Sequence, residues 1–116
     1  MKKALIICAA GMSSSMIAKK VTDFFADKDL PIELDSTTVS NAPGIIAKDK
    51  FDLYLVSPQA KMSYDNLKKE VEKTGKAIQN IPPKAYVPTD DGILELSKQV
   101  FTYFKPQLQA EKNGGQ

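Results

Sequence analysis

Leu5-Ile6-Ile7-Cys8-Ala9-Ala10-Gly11-Met12-Ser13-Ser14-Ser15 is the stretch on which the fold turns. The run from Lys3 to Cys8 is apolar after its first residue and stops at a small-residue loop, as expected of a buried parallel strand. Beyond the loop, Met16, Ile17, Val21, Phe24 and Phe25 recur at helical spacing, while Lys19, Lys20, Asp23 and Asp27 take the other face. The first set reads as core. Ser13 or Ser14 can cap this helix, which should end before Pro31. A strand ending in Cys, a small-residue loop and a helix together form a cup of backbone N–H groups. The cup lies at the positive end of a helix dipole, a setting suited to a phosphate bonded to sulfur.

Outward from this stretch, the strand–helix pattern repeats. Ile32 to Val39 is rich in β-branched residues and predicts a second strand. Ser40-Asn41-Ala42-Pro43-Gly44 is a turn that starts a short helix through Ile45, Ile46 and Ala47. Phe51 to Val56 predicts a third strand, stopped by Ser57-Pro58. A helix is expected over 61–73 with Met62 or Tyr64, Leu67 and Val71 inward and Gly75 just past its end. Ala77 to Ile81 reads as a fourth strand, ended by Pro82-Pro83. Thr89-Asp90-Asp91-Gly92 offers caps for a last helix whose stripe is Ile93, Leu96, Val100, Phe101 and Phe104. Pro106 is expected to end or bend it, with a disordered tail over 111–116.

Four strand–helix alternations imply an α/β three-layer sandwich with a four-stranded parallel sheet, here expected in the order 2-1-3-4. Ligands of such sheets bind beyond the carboxyl ends of the strands, where the strand order reverses. The loop after strand one, 8–15, and the loop after strand three, Ser57-Pro58-Gln59, should therefore be neighbours, with 81–91 close by. One domain over 1–105 and a C-terminal extension over 106–116 account for the chain.

Composition narrows the chemistry. A net charge of +2 from 16 basic and 14 acidic residues, evenly spread, gives no case for nucleic acid. Every basic residue is lysine, so the planar fork that grips phosphate in a bidentate way is missing. His and Trp are also absent. A single Cys excludes an internal disulfide and any multi-Cys metal site, and neither metal nor cofactor is expected. No segment approaches the roughly 18 apolar residues of a membrane span, and a cytoplasmic location is expected, where a lone thiol stays reduced.

In a strand, a lone Cys is more often a small packed hydrophobe than a nucleophile. Its place at the last strand residue, just before a small-residue loop and a helix N-terminus, reverses those odds for Cys8. The serines can cap the helix, contact phosphate oxygens, or do both. Gln59 can lend an amide donor or be an ordinary loop residue. For Tyr86 edge packing is favoured over a site role, and for Asp91 helix capping. A Cys-x5-Arg-Ser/Thr phosphatase loop offers one comparison, but Ser14 stands where its arginine would clamp the transition state. Without that arginine the loop suits a carrier of a phosphoryl group better than a hydrolase. A thiol-dependent phosphatase or reductase and a non-enzymatic anion-binding module are the alternatives.

The Cys8-Ala9-Ala10-Gly11-Met12-Ser13-Ser14-Ser15 motif, Leu53-Tyr54-Leu55-Val56-Ser57-Pro58-Gln59 and, more loosely, Tyr86 with Asp91-Gly92-Ile93-Leu94 carry a resemblance. The chain resembles the IIB components of the lactose/cellobiose branch of the bacterial sugar phosphotransferase system. The resemblance implies a fold similar to low-molecular-weight tyrosine phosphatases and an activity as a protein-phosphocysteine–sugar phosphotransferase. Cys8 would take a phosphoryl group from a phosphohistidine on a soluble IIA partner. It would pass the group to a disaccharide or β-glucoside at the membrane-embedded IIC partner, meeting the inner face of the membrane only transiently. Ala9 to Ser15 would hold the phosphate, with Ser57, Pro58, Gln59, Tyr86 and Asp91 in support. Ser57 departs from the Gly of the family pattern, and Val87-Pro88 departs after Tyr86. Both partners must dock over one phosphate, so apolar surface is expected there. Met12 and Met16 are placed for such contact, although the helical stripe counts Met16 as core.

Overall fold

The computed structural model describes residues 1–9 and 13–114, the side chains of 13 and of 112–114 excepted. Strands β1 (Lys2–Cys8), β2 (Ile32–Thr38), β3 (Leu53–Val56) and β4 (Ala77–Asn80) form one sheet in the order β2-β1-β3-β4. All three pairings are parallel. The expected topology is the observed one.

Helices cover both faces, and the pleat of β1 shows how. Ala4 and Ile6 face a core shared with Ile17, Val21 and Phe25 of α1 (Ser13–Asp27) and Leu96, Val100 and Phe104 of α4 (Asp90–Gly114). Leu5 and Ile7 face the opposite way, toward Ala42 and Ile46 of α2 (Ala42–Ala47) and Leu67 and Val71 of α3 (Tyr64–Glu72). Alternate residues of a strand point to opposite faces, so a strand buried on both sides must be apolar throughout. That requirement explains the unbroken run from Ala4 to Ile7. Each fully buried Leu, Ile or Phe contributes roughly 1.5–3 kcal/mol by leaving water.

Several local expectations change. Met16 is 52% exposed rather than core. The buried line of α1 runs through Ile17, Val21 and Phe25, and Met16 sits about 100° round the helix from Ile17. The segment before α3 begins earlier than expected, as a 3-10 turn over Pro58–Ser63, where Pro58 removes an N–H that no helix start needs. Of the two candidates for the inner face of α3, Tyr64 packs there and Met62 is 94% exposed. Gly75 takes φ +76 after α3, as its position past the helix end requires.

Pro106 does not end the last helix, which continues to Gly114. A proline costs one backbone hydrogen bond in mid-helix. Leu108 beyond it packs on the core, and Glu111 makes an ion pair with Lys2, so both residues belong to the folded unit. At the other end of α4, Thr89 supplies the cap: its Oγ1 accepts from the Gly92 N–H at 3.3 Å. A Cβ on Gly92 would come within 2.3 Å of the Val87 carbonyl oxygen, so this position needs glycine for the close approach of the preceding segment.

On the α2/α3 face Tyr54 is fully buried. Its hydroxyl has no hydrogen-bond partner among the described residues. Burial, and then the nearby carboxylates of Asp49 and Asp52, push its pKa above the usual value of 10.0.

Candidate functional site at the carboxyl end of β1

Parallel pairing brings three chain segments to Cys8. On one side Cys8 stands opposite Thr38 of β2, and its carbonyl accepts from the Val39 N–H at 2.9 Å. On the other side the β1–β3 register ends at Ile7 opposite Val56, and the Ser57 N–H donates to the Ile7 carbonyl at 2.9 Å. Cys8 therefore lies where the strand order reverses, between β1 and β3. Following Ile6 by two residues, its side chain lies on the α1/α4 face.

The thiol is 3% exposed and held from two directions. Its Sγ is 3.3 Å from the Thr37 carbonyl oxygen, to which the S–H donates, and 3.1 Å from Ser14 Oγ. A thiol has one hydrogen, so with that hydrogen given to Thr37 the Ser14 hydroxyl is the donor to sulfur. Ser14 is itself 3% exposed, in the first turn of α1. No carboxylate occupies that turn, which leaves the positive end of a 15-residue helix directed at the site. Ser14 thus serves the sulfur from within the helix instead of capping it from outside.

The remaining candidates sort by position. Ala9 is exposed directly after β1, and Ser15 is exposed in the first turn of α1. Ala10, Gly11, Met12 and the side chain of Ser13 lie outside the described residues, and with them lie most of the expected phosphate cup and the docking contact expected of Met12. Ser57 is fully buried, Pro58 half-buried and Gln59 exposed at the start of the 3-10 turn. Tyr86 packs in the α1/α4 core at 8% exposure, the edge-packing alternative. Asp91 is exposed in the first turn of α4, where its charge suits the dipole; Thr89, not Asp91, provides the cap.

Sequence reasoning missed Thr37. Its carbonyl meets a thiol 29 residues away only because β2 pairs with β1 in this register, and a backbone acceptor leaves no mark on residue type. Beside the site, a depression of about 380 Å³ is lined by Pro58, Lys61, Asn80, Ile81, Pro82 and Pro83, from the loops after β3 and β4. Another of about 420 Å³ between α1 and α4 contains none of the expected site residues. No group of three metal-ligating side chains occurs among the described residues. No helix among them is long and apolar enough to cross a membrane.

A buried thiol between a backbone acceptor and a hydroxyl donor, at a helix N-terminus, can be a nucleophile toward an electrophile that brings its own charge. Comparison with known proteins bears on which one. The model of the family described as PTS system, lactose/cellobiose-specific IIB subunit, matches residues 3–96. The lactose-specific IIB component domain from Streptococcus pneumoniae is similar in structure, with a TM-score of 0.64 and 20% identity. The match covers 84% of this chain and 85% of that one. The solution structure of a cellobiose-specific IIB component from Borrelia burgdorferi is similar with a TM-score of 0.61 and 24% identity. Here 88% of this chain and 93% of that one are covered. At these identities the two structures speak for the fold. No curated protein matches the chain significantly in sequence.

Proposed function

The chain belongs to the lactose/cellobiose-specific IIB subunits of the sugar phosphotransferase system, and from that premise we propose that it carries a phosphoryl group on Cys8 between a IIA donor and a sugar. Membership implies phosphoryl transfer in sugar transport. The single observation that carries the finer reading is the position of the chain's one thiol, at the β1 carboxyl end and in contact with the first turn of α1.

The transfer balances simply. Sulfur attacks the phosphorus of a phosphohistidine, the S–P bond forms as the N–P bond breaks, and the thiol proton replaces the phosphoryl group on the leaving imidazole. As sulfur gives up its hydrogen it loses the bond to Thr37, while Ser14 can keep donating, to sulfur or to a phosphoryl oxygen. N–H groups from Ala9 to Ser15 would hold the dianion, with the α1 dipole behind them. In the second half-reaction a sugar hydroxyl attacks the same phosphorus at the membrane-embedded IIC partner and the sulfur leaves. A disaccharide or β-glucoside fits the family description. The absence of arginine supports a carrier over a hydrolase, because water attack then lacks the clamp that stabilises its transition state. A cytoplasmic protein that meets the membrane only through IIC fits these roles.

The test is incubation with phosphoenolpyruvate, the general phosphotransfer proteins and a IIA protein of the same branch, read by intact mass and peptide mapping. One phosphoryl group on the Cys8 peptide is expected, labile to iodine as a thiophosphate ester should be. Labelling that persists in Cys8→Ala would overturn the proposal.

A further inference from the structure

Ser57 is fully buried, and its Oγ has no hydrogen-bond partner among the described residues. Its backbone is fully used: the N–H donates to the Ile7 carbonyl at 2.9 Å and the carbonyl accepts from Ala60 at 3.0 Å. Ser57 is also the residue preceding the 3-10 turn, where a serine hydroxyl usually accepts from the turn's first N–H groups, yet it makes no such bond. A buried hydroxyl left this way is destabilising, and alanine would keep the Cβ packing without that cost.

The register gives its direction. Ile7 pairs with Val56, so the next pair along is Cys8 beside Ser57, on strands spaced about 4.8 Å apart. Leu55 faces the α1/α4 core as Ile6 does, so Ser57 and Cys8, each two residues on, share that face. The sulfur is already served by Ser14, and a thiol is a poor acceptor. A phosphoryl group on that sulfur presents three strong acceptor oxygens and no donor.

We propose that the Ser57 hydroxyl is a donor reserved for the phosphoryl group on Cys8, which makes Ser57 a binding residue of the phosphorylated state alone. The proposal rests on the carrier reading of Cys8 and deepens it. Among the described residues the Ser57 hydroxyl has no partner in the thiol form, and in the phosphorylated form it gains a charge-assisted bond. It therefore shifts the equilibrium with the IIA donor toward the phosphorylated protein, since only interactions that differ between two states move the balance between them.

The experiment compares wild type, Ser57→Ala and Ser57→Gly, each equilibrated with a phosphorylated IIA protein. Three quantities are read: the melting temperature before phosphorylation, the phosphorylated fraction at fixed donor ratio, and the phosphorus NMR shift of the adduct. Expected for Ser57→Ala are an unchanged or raised melting temperature, a transfer equilibrium constant lower by about tenfold or more, and a displaced phosphorus resonance. Ser57→Gly should show the same last two effects, which separates the hydroxyl from packing. If wild type takes no phosphoryl group on Cys8, the carrier reading fails and this inference with it. If all three proteins are phosphorylated with equal constants and equal shifts, the carrier reading stands and the role of Ser57 is overturned. A clear loss of stability in unphosphorylated Ser57→Ala would also overturn it, by revealing a structural use of the hydroxyl.

Discussion

The Sγ of Cys8 lies 3.1 Å from the Oγ of Ser14, across the loop that joins β1 to α1. The contact ties the last residue of a strand to the first turn of the following helix. It also places a hydroxyl donor at the sulfur, where the proposed phosphoryl transfer would change the charge.

Replacement of Ser14 by Ala should therefore leave the fold intact and slow the chemistry. The lost hydrogen bond is worth about 0.5–1.5 kcal/mol to a neutral partner and more to a charged one. Phosphorylation of Cys8 by a IIA donor should slow by roughly tenfold, with circular dichroism unchanged. An initial rate equal to wild type would show that the hydroxyl packs beside the sulfur without assisting it.

Gly92→Ala should destabilise without touching the thiol. The added Cβ would meet the Val87 backbone oxygen at 2.3 Å, and a backbone atom cannot swing aside as a flexible side chain can. Overpacking of this kind costs about 1–3 kcal/mol. Urea denaturation should show the loss as a lower midpoint at unchanged slope.

Tyr54→Phe should alter the alkaline limb of stability. The folded state holds the Tyr54 pKa above 10.0, chiefly by burial, so near and above pH 10 the unfolded chain loses this proton first. The contribution of the neutral phenol is fully present below pH 10 and is lost as pH rises toward the folded pKa. Phe cannot ionise, and the hydroxyl it removes has no partner among the described residues. Melting temperatures at pH 7 should be unchanged or higher in the variant, and their decline between pH 9.5 and 11 (about the range of phenol ionisation) should be shallower. Parallel declines for the two proteins would contradict this account.

Pro106→Ala should stabilise. Pro106 lies inside α4 on its exposed side, with Leu108 beyond it packed on the core. Restoring the N–H and removing the ring clash is worth up to about 3 kcal/mol in an exposed helix interior. Thermal melts and helix content by circular dichroism should both rise; a fall in either would mean that the proline conformation is needed where it stands.

The element order and the parallel sheet were legible in the sequence because each rests on a local signal, whereas the strand order was expected from the fold class and no residue pattern records it. Unbroken apolar runs such as Ala4 to Ile7 mark strands covered on both faces. The stripe of Ile93, Leu96, Val100 and Phe104 marks a helix covered on one. Even the neighbourhood of Ser57 and Cys8 follows from the order β2-β1-β3-β4, since loops at the ends of adjacent parallel strands must be close.

Local signals misled where several outcomes satisfy the same pattern. Met16 fits a helical stripe one residue wider than the core requires, and solvent takes it. Pro106 is a stop signal that Leu108 and the Lys2–Glu111 pair override from outside the helix.

By itself, then, the sequence determined that a lone thiol ends the first strand of a parallel α/β sheet and that no arginine accompanies it. Only the tertiary structure decided what surrounds that sulfur. The Thr37 carbonyl reaches it through the β1–β2 register, Ser14 reaches it by the turn of α1, and Ser57 is buried next to it with no partner for its hydroxyl among the described residues. The physical reason is that hydrogen bonds are decided by distances of a few tenths of an ångström between segments far apart in the chain. Hydrophobic periodicity records only which side of each segment turns inward.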